Sequence, residues 1–409
     1  MVMEKIPFSL PLIDQDVVNE MNDTLLNTGW LTSGPKVQIL ENKLKEFIDS
    51  KAVLCVNSWT SGAMLILRWF GVGAGDEVII PAYTYSATAL CVLNIGATPI
   101  MVDVNDDFTI NVDEIKKKIT SKTKAIIPVD LGGWVCDYDK IFDLINDKDV
   151  VSLFNPSTER QKKLGRILVL SDAAHSLGSK YKNRNIGNVA DITVFSLHSV
   201  KNITTGEGGA ISLNLNSPFN IEEEYKFLKC FSLNGQNKTA LEKNQGGGWR
   251  YDIIDQGLKV NMPDICASVG IAQMKKYKST LLPERVSIFE YYNNYFSEFE
   301  WAITPLYKNK DSISSCHLYL LRFKNISEEQ RDEMIKLITE DGVGVNVHYI
   351  PMAMLTLFKN LGYKIEDYPK TYELYHNLIT LPVYNGLTED KLMRVVNSVK
   401  NAYYKVCSK

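Results

Sequence analysis

Lys201 stands in the run Phe195-Ser-Leu-His-Ser-Val-Lys-Asn-Ile-Thr-Thr-Gly-Glu-Gly-Gly-Ala210, downstream of Ser171-Asp-Ala-Ala-His-Ser176. Each run follows a short apolar stretch, Ile192–Phe195 and Ile167–Leu170, that reads as a buried strand. A lysine held just past one strand, with an aspartate at the end of another, suits pyridoxal phosphate. The amine can form a Schiff base with its aldehyde, and the Asp172 carboxylate can keep its pyridine nitrogen protonated. An ordinary solvated lysine serves poorly, because its amine must be desolvated or placed near another cation before it attacks a carbonyl. The glycines of Gly206-Glu-Gly-Gly209 permit a tight reversal into the next strand.

Other polar residues recur at strand ends. Val56-Asn-Ser-Trp-Thr-Ser-Gly-Ala63 leaves a strand and enters a helix, where unpaired backbone N–H groups favour an anion. Ser58 and the N–H groups of Trp59 and Thr60, with the Thr60 hydroxyl, are candidates for the cofactor phosphate; the plainer reading is a helix cap by Asn57 or Ser58. Ser196 ends another strand and could add a hydroxyl. Pro81-Ala-Tyr-Thr-Tyr-Ser-Ala-Thr88 offers Tyr85 as a ring to lie against the pyridine, although loop tyrosines more often serve packing. His175 could reach the phenolic oxygen of the cofactor or a carboxylate, and Asp172 could instead cap the following helix.

Other chemistries lack their residues. No Gly-x-Gly-x-x-Gly follows the first strands, no Walker-type loop is present, and no Gly-x-Ser-x-Gly elbow occurs. The five histidines form no two-histidine zinc motif, and no metal is expected. A net charge of −3 gives no electrostatic footprint for nucleic acid. The seven cysteines are odd in number and dispersed, as reduced thiols would be. Neither a secretory signal nor a bilayer-length apolar run is visible, so the expected location is the cytoplasm, without membrane insertion.

The elements that must position these residues alternate in the first two thirds of the chain. Strands are expected at Ala52–Val56, Glu77–Ile80, Pro99–Val104, Ala125–Val129, Ile167–Leu170, Ile192–Phe195 and Ala210–Leu213, apolar on both faces as in a covered sheet. Val37, Leu40, Leu44 and Phe47 follow helical spacing, with Pro35 suited to the first turn; Val112, Ile115 and Ile119 repeat the pattern. This alternation predicts an α/β domain with a mostly parallel sheet. Beyond about Ser279 the rhythm becomes that of a smaller α+β unit, giving domains at 1–278 and 279–409. Helices are expected near Val286–Phe296, Glu328–Ile338 and Thr388–Tyr404, and strands at His317–Phe323, Gly344–Ile350 and Leu378–Val383. Asn155–Arg166 and Leu241–Trp249, the latter containing Gly246-Gly-Gly248, read as loops or insertions.

The chain resembles the DegT/DnrJ/EryC1/StrS sugar aminotransferases, a fold-type I group of PLP enzymes. The resemblance runs over nearly the whole length. Besides the Asp172 and Lys201 segments it covers Gly29-Trp-Leu-Thr-Ser-Gly-Pro35, Gly75-Asp-Glu-Val-Ile-Ile-Pro81, Gly257-Leu-Lys-Val-Asn-Met262 and Gly344-Val-Asn-Val-His-Tyr-Ile-Pro351. It implies a large mixed, mostly parallel sheet domain and a smaller C-terminal α+β domain. It implies that Lys201 holds the cofactor and shuttles protons, that Asp172 meets the pyridinium, and that His175 lies near the ring. It further implies Tyr85 stacked on the ring, Thr60 and Ser196 at the phosphate, and a homodimer whose partner chain offers Lys259 or Asn261 to that phosphate. Thr32, Ser33, His348 and Tyr349 fall in segments that approach the sugar nucleotide in similar proteins.

The activity so implied is transfer of an amino group from L-glutamate to a nucleotide-linked 4-keto-6-deoxy sugar, with UDP as the expected nucleotide, for bacterial surface polysaccharide. Two alternative readings are a PMP-dependent sugar 3-dehydratase, which resembles this chain with histidine in place of the lysine, and a non-catalytic or regulatory PLP-binding protein that keeps the fold. A cysteine desulfurase would need a reactive loop cysteine, for which Cys230 is the candidate. The sequence departs from the family at Trp59, where glycine is usual, and at Trp134, where glutamine is common. The Trp59 indole is expected to find space, with the substrate cleft as one destination.

Overall fold

The computed structural model describes residues 4–244 and 249–407. The expected Gly246–Gly248 turn lies outside the described residues. Seven strands form the main sheet: β1 (Ala52–Val56), β2 (Glu77–Pro81), β3 (Thr98–Val102), β4 (Thr123–Ile126), β5 (Leu168–Asp172), β6 (Ile192–Ser196) and β7 (Gly209–Leu213). Their order is β1-β7-β6-β5-β4-β2-β3. Only β7 runs against the others, pairing antiparallel with both β1 and β6. The seven expected strands all form, within two or three residues of their ends, because strands covered on both faces must be continuous apolar runs.

The helix Pro35–Ile48 begins at Gly34, which has no side chain to cap it. Asp264, fully buried and distant in sequence, accepts from the N–H groups of Gly34 (2.8 Å), Lys36 (3.1 Å) and Val37 (3.0 Å) instead. Helix Trp59–Phe70 is capped locally, with Ser58 Oγ accepting from the Ser61 N–H at 3.1 Å. The large apolar core surrounds the main sheet. A second cluster joins Ile288, Phe289, Tyr319, Leu321, Val395 and their neighbours, and includes Ile6 from the N-terminal arm. Its sheet pairs Tyr319–Phe323 with Ala302–Ile303 on one side and Leu378–Leu381 on the other. The result is a large mixed sheet domain beside a smaller α+β unit.

Four expectations need correction. Asn155–Arg166 contains a helix, Glu159–Leu164, capped by Thr158. Its Gln161 is fully buried and donates to the Phe70 carbonyl at 3.0 Å, while Arg160 lies over Phe227 and bonds Glu224 at 3.2 Å. Leu241–Trp249 likewise includes part of a short helix, Ala240–Lys243. Gly344–Ile350 is not a strand: Val343 and Asn346 make single bridges, to Ile6 and Thr380, and the segment then turns toward the sheet edge. The Trp59 indole is buried in the large-domain core, not in an open cleft.

Candidate active site

All six parallel strands end on one edge of the sheet, and the antiparallel β7 begins there, with Gly209 paired to both Val56 and Ser196. That edge is where open α/β sheets bind ligands. It gathers the turn after β1 (Asn57–Thr60), the loop after β2 (Tyr83–Thr88), Asp172–His175 after β5, and Ser196–Lys201 after β6.

Asp172 is buried, and its Oδ2 accepts from Thr88 Oγ1 at 2.9 Å while Oδ1 accepts from the Ala174 N–H at 3.1 Å. Burial pushes its pKa up to about 7, against the pull of those two bonds and of Lys201. No salt bridge closes on it among the described residues. A buried carboxylate so placed lacks a cation, which a protonated pyridine nitrogen would supply. Burial lowers the Lys201 pKa to about 8, and the nearby Asp172 charge opposes that shift. Roughly a fifth of the amine is therefore neutral at pH 7.4, far more than for an ordinary lysine, as a carbonyl-attacking lysine requires.

At the end of β1 the Trp59 and Thr60 N–H groups have no acceptor among the described residues. The start of β7 presses against this turn: a Cβ on Gly209 would lie 2.7 Å from the Ser58 carbonyl and 2.9 Å from the Trp59 nitrogen. The uncommitted N–H groups, the half-buried Thr60 and the half-buried Ser196 fit a phosphate. Tyr85 is 59 % exposed, with its ring 5.4 Å from that of Tyr349, and so has a face open to stack on a planar ligand. On these observations the residues present fit pyridoxal phosphate.

His175 is buried and bonded at both ring nitrogens. Nδ1 accepts from the Gly132 N–H at 3.1 Å, and Nε2 lies 3.1 Å from the Tyr349 hydroxyl. His348 stacks on Phe8, with ring centroids 5.2 Å apart, and its carbonyl accepts from Tyr83 Oη at 3.0 Å. The remaining sequence candidates sit together elsewhere. Asn261 Nδ2 donates to Ser33 Oγ at 2.7 Å, Lys259 bonds Asn261, and the Thr32 carbonyl accepts from the Asp264 backbone N–H at 3.1 Å. Asn261 bridges to Val56 at the end of β1, so this group flanks the phosphate turn of its own chain.

Several residues escaped the sequence reading. Thr88 holds Asp172 across 84 positions of chain. Asp130, fully buried and raised to about 6 by that burial, accepts from Ser176 Oγ at 2.8 Å and the Cys136 N–H at 3.0 Å, tying down the His175 loop. His317 lies against His175 with ring centroids 4.6 Å apart. Trp134 donates its indole N–H to Asp107 at 3.0 Å, on the side of Gly132 where the two units meet.

The profile of the DegT/DnrJ/EryC1/StrS aminotransferase family matches residues 11–400. The chain belongs to that family. A putative sugar aminotransferase of Streptococcus pneumoniae, in its PMP form, is 42% identical over 98% of this chain and all of that one, with a TM-score of 0.94. Its PLP form gives 40% identity over the same shares and a TM-score of 0.93. The spore coat polysaccharide biosynthesis protein SpsC of Bacillus subtilis is 33% identical, covering 97% of this chain and 96% of that protein. A UDP-4-amino-4-deoxy-L-arabinose–oxoglutarate aminotransferase of Shewanella sediminis is 31% identical, covering 97% of each. The DegT/DnrJ/EryC1/StrS aminotransferases are PLP-dependent, and the expected cofactor and α/β fold are those of the family.

Proposed function

We propose that this member of the family is a sugar aminotransferase that moves the amino group of L-glutamate onto a nucleotide-linked 4-keto-6-deoxy sugar. UDP is the nucleotide we favour, and surface polysaccharide made from the cytoplasmic side is the destination. The polysaccharide role of the B. subtilis relative and the UDP sugar named for the S. sediminis relative support those choices. The observation that carries the reading is the pairing of a desolvated Lys201 with the buried Asp172 at one sheet edge.

When bound, pyridoxal phosphate supplies the electron sink and carries the amino group from one substrate to the other. Asp172, held by Thr88, keeps a positive charge at the pyridine nitrogen. Tyr85 covers the ring, and Ser58, Trp59, Thr60 and Ser196 hold the phosphate. Lys201 takes the proton from the α-carbon of glutamate, and in the second half-reaction returns one to the sugar carbon. A group that serves as base and then acid works best with its pKa near the working pH, and about 8 meets that condition. We assign Thr32, Ser33, His348 and Tyr349 to the sugar nucleotide, and Lys259 and Asn261 to the phosphate in a homodimer. Lys201 stands where the resembling 3-dehydratases carry histidine, which favours transamination.

The test is the near-visible absorption spectrum before and after L-glutamate, for the wild type and for Lys201→Ala. The wild-type band should collapse to that of the amine form, and the variant should lack the starting band and lose turnover on the order of 10²–10⁴-fold. A wild type that binds PLP yet ignores glutamate removes glutamate as donor. A converted enzyme is then offered UDP-, dTDP- and GDP-ketosugars; indifference to the UDP sugar rejects that nucleotide.

A further inference from the structure

A cavity of about 250 Å³ lies in the seam between the two units. The large unit lines it with Phe108, Gly132 and Trp134. The small unit adds Phe289 from its helix Leu282–Phe296, and Leu320 and Arg322 from its strand Tyr319–Phe323. None of the residues assigned above to the cofactor or the sugar takes part. The three aromatic rings are buried, and the Trp134 indole is held by the bond from its N–H to Asp107 at 3.0 Å, which leaves its faces for packing. Trp134 also stands where glutamine is common in the family, so this aromatic wall is a feature of the chain itself. Leu306 lines the cavity too and is exposed, so solvent reaches it on that side.

The charged groups of the wall differ in whether their hydrogen bonds are made. One Asp107 oxygen accepts from the Thr109 N–H at 3.1 Å and the Thr109 hydroxyl at 2.6 Å, and the other accepts from Trp134. Asp106 is largely exposed and pairs with Lys370 at 2.8 Å; Glu373, the other carboxylate near Arg322, pairs with the same lysine at 2.6 Å. Arg322 has no such partner. Among the described residues its guanidinium closes no ion pair, and its one hydrogen bond is a long one, to the Asp106 carbonyl at 3.5 Å. The guanidinium carbon stands 5.8 Å from the centre of the Phe108 ring. Arginine stays charged at any working pH and presents its donors as a planar fork that matches a carboxylate. Half-buried beside apolar rings, this cation lacks the anion that would offset its desolvation.

We propose that the seam cavity is a second ligand site, for a small planar aromatic carboxylate whose ring packs among Phe108, Trp134 and Phe289 and whose anion is taken by Arg322. A cationic ligand would be repelled by Arg322, and a plain hydrocarbon would leave its donors unmade. The volume is at the small end for ligand pockets, which fits a molecule of about one or two rings. An occupant would touch both units just behind the active site. There the Gly132 N–H bonds His175, and Phe108 packs on Tyr83 with ring centroids 5.2 Å apart, while the Tyr83 hydroxyl bonds the His348 carbonyl.

The probes are 2-naphthoate and its uncharged counterpart 2-naphthalenemethanol, titrated by calorimetry into the protein with PLP added. The wild type should bind 2-naphthoate at a single saturable site per chain, and more tightly than the alcohol. Arg322→Met keeps the apolar stem and removes the fork, so it should weaken 2-naphthoate about ten-fold or more and leave the alcohol unchanged. Leu306→Glu alters an exposed side chain that the fold does not need, and puts a negative charge at the mouth; it should weaken the acid more than the alcohol. A wild type that binds neither probe overturns the proposal. Equal affinity for the two probes rejects the anionic class of ligand. Binding of 2-naphthoate that is unchanged in both variants puts the probe elsewhere on the protein and also overturns it. These outcomes do not depend on the roles given to Lys201 and Asp172.

Discussion

Burial and Asp172 pull the Lys201 amine in opposite directions, and burial wins, leaving its pKa at about 8 against an ordinary 10.5. Only the neutral amine attacks an aldehyde, so the rate at which apoprotein captures PLP should rise with pH about a midpoint near 8. Asp172 favours the ammonium form, so Asp172→Asn should move that midpoint lower; stopped-flow absorbance reads both, and a wild-type midpoint near 10.5 would refute the assignment. Thr88→Val removes a hydrogen bond to a charged group worth roughly 1.5–3 kcal/mol, which predicts about ten-fold or more weaker PLP binding by equilibrium dialysis. Lys201 and Asp172 were legible because each follows an apolar run. Thr88 was not, since nothing local distinguishes a threonine that caps its own helix from one that bonds a strand end 84 residues away.

The strand ends act as a frame, and their spacing is set by backbone contacts that admit no side chain. At Gly209 a Cβ would meet the Ser58 backbone at 2.7 Å, and backbone cannot yield as a flexible side chain can. Gly209→Ala should therefore displace the phosphate turn and weaken PLP binding, whereas Gly73→Ala, whose Cβ would meet nothing nearer than 4.0 Å, should leave it unchanged. Equal affinities in the two variants would mean that the turn does not hold the phosphate. Asp264→Ala strips three N–H groups of their acceptor at the start of Pro35–Ile48 and should destabilise the protein by about 2 kcal/mol in urea unfolding. Sequence placed that helix correctly from Pro35 and its apolar spacing, but its cap comes from another helix and leaves no local sign.

At the scale of the molecule, the two units are laced together around the site. Ser315 and His317 bond to Ser179, His175, Gly132 and Asn202, so the position of Lys201's neighbour depends on the small unit. Apolar side chains remain exposed away from this seam, among them Leu26 at 81 %, Trp249 at 70 % and Leu31 at 54 %. A second copy of the chain would cover such residues in the proposed homodimer. Sedimentation should give twice the 46.2 kDa chain mass, and Leu26→Asp with Leu31→Asp should shift it toward the monomer; a monomeric wild type would reject a shared active site.

The amino-acid sequence by itself determined the main sheet, the helix that opens at Pro35, and the placing of Asp172 and Lys201 just beyond strand ends. Those features are written in apolar periodicity and in residue types next to strand ends, which are properties of short stretches. It misjudged Gly344–Ile350, whose apolar residues suggest a strand but whose backbone finds only single bridges. It also read Asn155–Arg166 as a loop, although Gln161 anchors a helix to a carbonyl about ninety residues back. Tertiary structure alone decided that Thr88 holds Asp172, that Asp264 caps a helix 228 residues before it, and that the Gly132 N–H reaches His175 Nδ1. A hydrogen bond depends on positions in space within about 3 Å. Once chain neighbours are left behind, only the folded backbone says which donors and acceptors meet.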